Sequence, residues 1–322
     1  MKKIKKIALL TSGGDASGMN TAIRSTVRTA LYHGVRVFGV LHGYTGLIKN
    51  DFVEMNRRSV SNIMMLGGTM LKTARSDEFK TIKGQRKAVK NLKKRKIDGL
   101  VVIGGDGSFR GAHILSTKWG IRCIGVPATI DNDISGTDFT IGSDTAVGVA
   151  LDAIDKIRDT VTSLERIFVV EVMGRECGYI AMRTALAGGA EEVLLPDVKN
   201  DLNRMCREIK TAREKGKISW IVIVAEGAGS AGDIARIIKR KTGYETRVTV
   251  LGHIQRGGRP TAIDRILASR LGSAAVMLLI QGETDKMVGI ISDQIESTGL
   301  SCACEKKNDY RDLYSLLKIL ET

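Results

Sequence analysis

The sequence has little with which to build a disulfide framework, a zinc site or a histidine metal centre. Its five cysteines, Cys123, Cys177, Cys206, Cys302 and Cys304, are odd in number and scattered, without a Cys-x-x-Cys spacing. That pattern excludes a cross-linked scaffold and fits a reducing, cytoplasmic setting. Four histidines, none paired at ligand spacing, leave no His-based metal site. No apolar run approaches the roughly 18 residues of a membrane span. The lysine-rich start at residues 1–6 precedes too short an apolar stretch for a signal peptide, so it reads as the entry to a first strand. No membrane contact is expected. Aromatic residues make up only 4% of the chain, and there is no nucleic-acid module. A nucleic-acid partner is therefore not expected either, since readers of single strands stack bases on aromatic rings. With three prolines and no low-complexity stretch, there is no linker to mark a hinge.

What is present is charge. The net charge of +15 admits nucleic acid, an anionic membrane or small phosphorylated ligands. The densest run, residues 83–96, falls on a helical pattern and reads by default as a solvated basic face. At 322 residues and 43% hydrophobic content, the chain has material for two cores.

The stretch 127–133 organises the rest. An apolar run over 121–126 reads as a buried strand closed by Pro127, which lacks an N–H for a ladder. Asp131 and Asp133 follow, with Thr129 just before. In an extended segment residues two apart face one side, so the two carboxylates would share one site. Carboxylates that close raise one pKa or call for a cation, which suits a general base beside a metal-bound phosphate. Two other readings compete: Asp and Asn as turn formers, and the opening of a calcium loop. The calcium loop fails at its twelfth position, which is Gly142 rather than Glu.

Two further strand ends carry glycine. A strand over 7–11 runs through Gly13, Gly14 and Gly18 into a helix, a geometry that aims N–H groups at an anion. It is neither a G-x-G-x-x-G turn nor a P-loop, which wants lysine where Met19 stands. A strand over 99–103 ends in Gly104, Gly105, Asp106, Gly107 and Ser108, with Asp106 the one hard oxygen ligand there for Mg²⁺. Open α/β sheets bind ligands at the carboxyl ends of their strands. Beyond Gly142 the alternation restarts: helix 146–161, strand 167–172, strand 193–195, helix 202–215, strand 220–225, helix 234–242, strand 246–251, helix 262–280, strand 288–291 and tail helix 310–320. The fold class expected is α/β, two doubly wound lobes with the site in a cleft between them. The second half supplies cations at its strand ends, Arg166, Arg175, Arg247, His253 and Arg256, whose guanidinium forks match phosphate oxygens.

Together these segments resemble the bacterial ATP-dependent phosphofructokinase family. The motifs are TSGGDASGMN (11–20), GGT (67–69) with AR (74–75), VVIGGDGS (101–108), TIDND (129–133), VVEVMGR (169–175) and ETRVTVLGHIQRGG (245–258). The resemblance implies a cytoplasmic homotetramer that transfers the γ-phosphoryl of MgATP to the 1-hydroxyl of fructose 6-phosphate. It implies an ATP-binding lobe over 1–141 and 254–306, and a sugar-phosphate lobe over 142–253 and 307–322. Asp131 would take the hydroxyl proton, with Thr129, Asp133 and Arg75 beside the reaction and Asp106 at the magnesium. Gly14, Arg75, Ser76 and Gly105, Asp106, Gly107, Ser108 would hold ATP. The sugar phosphate would meet Thr129, Ile130, Asp131, Met173, Gly174, Arg175, Glu226, His253, Ile254, Gln255 and Arg256. Arg166 and Arg247 would come from a neighbouring subunit.

Pyrophosphate-using relatives carry Asp in place of Gly107 and Lys at 128, so Gly107 with Ala128 favours ATP, Ala128 crowding the nucleotide slightly. A pyrophosphate-dependent enzyme and a non-catalytic nucleotide-binding protein stand as alternatives. An effector site for ADP or phosphoenolpyruvate would draw on Arg24, Ser25, Thr26, Val27 and Arg28, then Arg57, Arg58, Ser59, Val60, Ser61 and Asn62. Arg158, Gly189, Ala190 and Glu191 would join it, with Lys215, Lys217, Ile218 and Ser219. Asn62 stands where Asp is common, and Ile218-Ser219 where Lys-His is common, which alters effector preference.

Overall fold

A computed structural model describes residues 4–164, 166–305 and 310–320. In chain order the elements are β1 (Lys6–Ser12), α1 (Met19–Tyr32), β2 (Arg36–Val40), α2 (Gly43–Lys49), β3 (Phe52–Met55), α3 (Asp77–Lys80), α4 (Ile82–Lys94), β4 (Gly99–Gly104), α5 (Asp106–Trp119) and β5 (Cys123–Pro127). There follow α6 (Ser143–Leu164), β6 (Ile167–Val172), α7 (Tyr179–Ala187), β7 (Glu192–Leu194), α8 (Leu202–Glu214), β8 (Trp220–Ala225), α9 (Ala231–Thr242) and β9 (Thr246–Val250). The chain ends with α10 (Ala262–Gln281), β10 (Lys286–Ile291), β11 (Gln294–Gly299) and α11 (Arg311–Leu320). It divides into two compact units, residues 1–145 with 256–307 and residues 146–255 with 308–322.

The first unit holds a seven-stranded sheet in the order β11-β10-β5-β4-β1-β2-β3. The strands from β10 to β2 run parallel, with antiparallel β3 and β11 at the edges. β4 is buried at every position, as its unbroken apolar run demands of a strand covered on both faces. Register aligns three strand ends: Ser12 lies opposite Gly104, and Gly104 opposite Pro127. On one side α4 turns Ala88, Val89 and Leu92 into a core shared with Leu10, Leu100 and Phe109, and leaves its cations in solvent. The second unit is an all-parallel sheet, β7-β8-β6-β9, packed on α8 and α9 through Met205, Ile209, Ile234 and Ile238.

Several boundaries move from their sequence positions. Strand 193–195 lies one residue earlier, strand 121–126 begins at Cys123 and includes Pro127, and helix 146–161 begins at Ser143. The short α2, β3 and α3 and the β11 hairpin strand carry no apolar periodicity and were not expected. Among the described residues no helix is long and apolar enough to cross a membrane. The lysines at 2 and 3 and the expected boundary at 306–307 lie outside the described residues.

Candidate active site

In the first unit the three expected loops emerge side by side from β1, β4 and β5. A Cβ at Gly104 would stand 2.5 Å from the Ser12 carbonyl and 2.6 Å from Ser108 Oγ, so only glycine lets these two loops meet. Gly105 precedes α5 in extended backbone, with Thr129 Cβ 3.8 Å from where its own Cβ would be. Asp106 is the first residue of α5, a position the helix dipole favours for an anion, and its carboxylate lies 3.4 Å from Arg110. Nothing comes within 4 Å of a Cβ at Gly107. The Gly14 backbone is crossed by the Arg256 guanidinium, whose Nη1 donates to the Asp15 carbonyl at 3.0 Å. Ser17 Oγ reaches the Gly258 carbonyl at 3.0 Å, tying the first loop to residues 256–258.

The 67–72 turn docks on the same edge. Asn20 accepts from Met70 N–H at 2.7 Å and donates to the carbonyls of Leu66 and Gly67, while Thr11 Oγ1 donates to the Lys72 carbonyl at 2.9 Å. Arg75 beyond it is exposed, and Ser76 caps α3 by accepting from Phe79 N–H.

The segment after β5 departs from the extended geometry expected of it. Asn132 has φ 50°, in the left-handed region that Asn tolerates, so residues 131–133 bend and the same-side argument for Asp131 and Asp133 loses its premise. Asp131 is buried at 2% exposure and Asp133 is half-buried. Thr129 Oγ1 accepts from Asp131 N–H at 3.2 Å, and its carbonyl accepts from Thr140 Oγ1 at 2.7 Å. The Asn132 amide closes this loop, donating to the Asp138 carbonyl and accepting from Thr140 N–H at 2.8 Å. Ala128 is buried and bridges Ile141, so its methyl is held in packed protein instead of crowding an open site.

Asp264, absent from the expected set, anchors the far end of the loop. It is buried at 1% exposure and accepts from Gly142 N–H at 2.7 Å and Thr145 N–H at 2.8 Å, as well as from the Thr145 hydroxyl. Burial pushes its carboxyl above the usual carboxylate range, against the opposing pull of those donors. The Thr261-x-x-Asp264 spacing, a capping-box pattern before α10, was its signal.

In the second unit β8, β6 and β9 are neighbours, so their carboxyl ends also share an edge. Glu226 Oε1 accepts from the N–H groups of Gly174 (3.2 Å) and Arg175 (2.7 Å), fixing a turn in which both residues have positive φ. A side chain at Gly227 would strike the Arg175 carbonyl. Gln255, buried, accepts from Met173 N–H at 2.8 Å, while His253 and Ile254 are exposed. Arg166 Nε donates to Glu245 at 2.8 Å, and Arg247 pairs with the same carboxylate. Glu245 was also missing from the expected set.

The expected effector residues fall in both units. In the first, Arg24 and Arg28 lie one turn apart on α1; burial, and then the charge of Arg28, lower the Arg24 pKa. Ser25 and Thr26 hydrogen-bond α10 backbone, Val27 is buried, and Arg57, Arg58, Ser59, Val60, Ser61 and Asn62 form a turn region. In the second, Arg158 donates to the carbonyls of Gly188 and Gly189, and Glu191 accepts from Ile221 N–H and pairs with Lys217 at 3.4 Å. Ala190 is buried beside them; Lys215 and Ile218 are exposed, and Ser219 is half-buried.

Glycine-lined strand ends set in register, with a buried acid beside them, define an α/β protein whose candidate site lies at the carboxyl ends of a largely parallel sheet. The Phosphofructokinase family model matches residues 6–279, and the chain belongs to that family. It is 52% identical over 330 residues to the ATP-dependent 6-phosphofructokinase of Halothermothrix orenii, covering 98% of this chain and 99% of that one. The enzyme of the same name from Clostridium tetani is 53% identical over 319 residues, with the same coverage. Among solved structures, Pichia pastoris phosphofructokinase superposes with a TM-score of 0.89 at 35% identity, covering all of this chain and 39% of that one. Saccharomyces cerevisiae phosphofructokinase gives 0.86 at 36% identity, covering 98% and 47%, so this chain spans less than half of either yeast chain.

Proposed function

We propose that this chain is an ATP-dependent 6-phosphofructokinase, transferring the γ-phosphoryl of ATP to the 1-hydroxyl of fructose 6-phosphate to give fructose 1,6-bisphosphate and ADP. The observation that carries this reading is the in-register alignment of the β1, β4 and β5 ends, which sets Gly104, Gly105 and Thr129 against one another beside the Asp131 segment. The names of the bacterial relatives support the choice of substrates. Phosphoryl transfer asks for positioning and charge neutralisation more than covalent help.

Asp131 serves as the base that accepts the sugar hydroxyl proton, with Thr129 bracing its backbone and Asp133 adjacent. Gly14 and residues 105–108 receive the nucleotide, and exposed Arg75 reaches toward the phosphates. Mg²⁺ fits the donor present: Asp106 stands half-exposed at a helix start. One carboxylate suits an ion that takes its other ligands from phosphates and water. When bound, Mg²⁺ neutralises charge on the transferring phosphates.

Met173, Gly174, Arg175, Glu226, His253, Ile254, Gln255 and Arg256 hold the sugar phosphate, joined by Arg166 and Arg247 of a neighbouring subunit in a cytoplasmic homotetramer. Residues 1–141 with 254–306 serve ATP, and 142–253 with 307–322 the sugar phosphate. ADP or phosphoenolpyruvate acts at the cationic effector residues. The open space at Gly107 bears on donor choice, because an aspartate would fit there sterically and so would discriminate by charge.

Initial rates with ATP and with pyrophosphate, each with and without ADP, test the donor and the regulation; turnover with pyrophosphate alone would overturn the assignment. Asp131→Ser should lower kcat roughly 10²–10⁴-fold while KM for fructose 6-phosphate stays within a few-fold. Undiminished turnover would place the base elsewhere.

A further inference from the structure

Part of the positive charge lies outside the residues used above, and one concentration of it lines a concave surface. Between α8 and α9 two cavities, of about 480 and 250 Å³, share Asn203 and Lys241 and so form one groove. Lys199, Arg240 and Lys241 line the larger; Arg207 and Lys210 join Lys241 around the smaller. Among the described residues no ion pair engages any of these five cations. One acid, Asp201, also lines the larger cavity, and Arg207 lies near enough for its charge to act on that carboxylate. Asp201 accepts from the N–H groups of Asn203 (3.0 Å) and Arg204 (2.9 Å) as the α8 cap, and Glu208 and Glu192 both pair with Arg204.

Lys241 Nζ donates to Asn203 Oδ1, which joins the two helices across the groove. Buried Cys206 lines the groove, its thiol pushed up by burial while the charges of Lys241 and Lys210 pull it down.

From these contacts we infer that the α8–α9 groove binds an oligophosphate, a run of adjacent phosphates and not a single one. From Asn203 to Lys210 the α8 side extends over about 10 Å at 1.5 Å per residue, more than one phosphate spans. Leu202 and Ile237 are the apolar side chains in the larger lining, and no aromatic ring stands there to stack a base. Recognition therefore rests on the phosphates, whether they belong to a free chain or to a nucleic-acid backbone. It is independent of the phosphoryl-transfer reading, whose residues lie elsewhere.

Lysine acetylation read peptide by peptide in a mass spectrometer tests this on the intact protein. At about ten times the half-protecting concentration of tripolyphosphate, acetylation of Lys210 and Lys241 should slow about tenfold, and that protection should fade with added salt. Lys83 and Lys90 on the basic face of α4 should stay reactive. The double variant Arg207→Ser, Arg240→Ser, checked for folding by circular dichroism, should lose the protection. A short oligouridylate forms the second arm: stronger protection by tripolyphosphate assigns a free chain, by oligouridylate a nucleic-acid backbone, and either supports the groove. Equal protection on α4, none from either probe, or protection that survives in the double variant overturns it.

Discussion

Single side chains decide how the loops of the first unit are held, and Asp264 is the least expected of them. Its folded pKa is raised, so just above the ordinary carboxylate pKa of about 4 the native state binds more protons than the unfolded one. Its contribution to stability is therefore complete below that pH and declines as pH rises through the folded value. Asp264→Asn removes the titration, leaving the other groups as they were. The stability of wild type relative to the variant, from urea unfolding at pH 4 and pH 6, should accordingly be smaller at pH 6. A difference that grows with pH would mean the three donors outweigh burial. That Asp106, Thr129 and Asp131 follow strand ends was legible from the apolar runs before them, and strand ends are where ligands of α/β sheets gather. Asp264 and Glu245 were not singled out, because each acts through partners far away in the sequence or lies inside a motif read for its arginines. The left-handed turn at Asn132 was equally hidden, since nothing in an Asp-Asn-Asp run chooses between extended and bent backbone until Thr140 and Asp138 take up its amide.

Between elements, what matters is register. Buried β1, β4 and β5 announced themselves as apolar runs, but not which strands would be neighbours; that follows from the crossover connections and places β4 between the other two. Short α2, β3 and α3 escaped notice because four to seven residues hold too little of either period. The contact of Gly104 with Ser12 and Ser108 ties the first two loops, so its substitution probes the alignment itself. Gly104→Ala forces a methyl against a neighbouring strand's carbonyl and should cost about 1–3 kcal/mol of stability. KM for ATP should rise more than KM for fructose 6-phosphate, because the displaced loops are those assigned to the nucleotide. Unchanged KM for ATP in a destabilised variant would detach these loops from nucleotide binding. Gly107→Ala, with open space around it, is the matched control for stability.

At the scale of the whole molecule the assembly becomes testable through Arg166 and Arg247. In this chain both guanidinium groups meet Glu245; on the proposed assignment a substrate phosphate would compete with that carboxylate, and the balance would set ground-state binding instead of the chemical step. Arg247→Ala should hence raise KM for fructose 6-phosphate and leave kcat nearly unchanged. Which chain's site it serves can be read from hybrids. When Asp131→Ser and Arg247→Ala chains are mixed and reassembled, a site in which Arg247 is borrowed across a two-fold interface is intact in one half of each mixed pair. Activity at low fructose 6-phosphate should then recover to about one quarter of wild type, half the pairs being mixed and half their sites whole. If Arg247 served its own chain, every site would carry one lesion, and the mixture would show no more than the average of its parents.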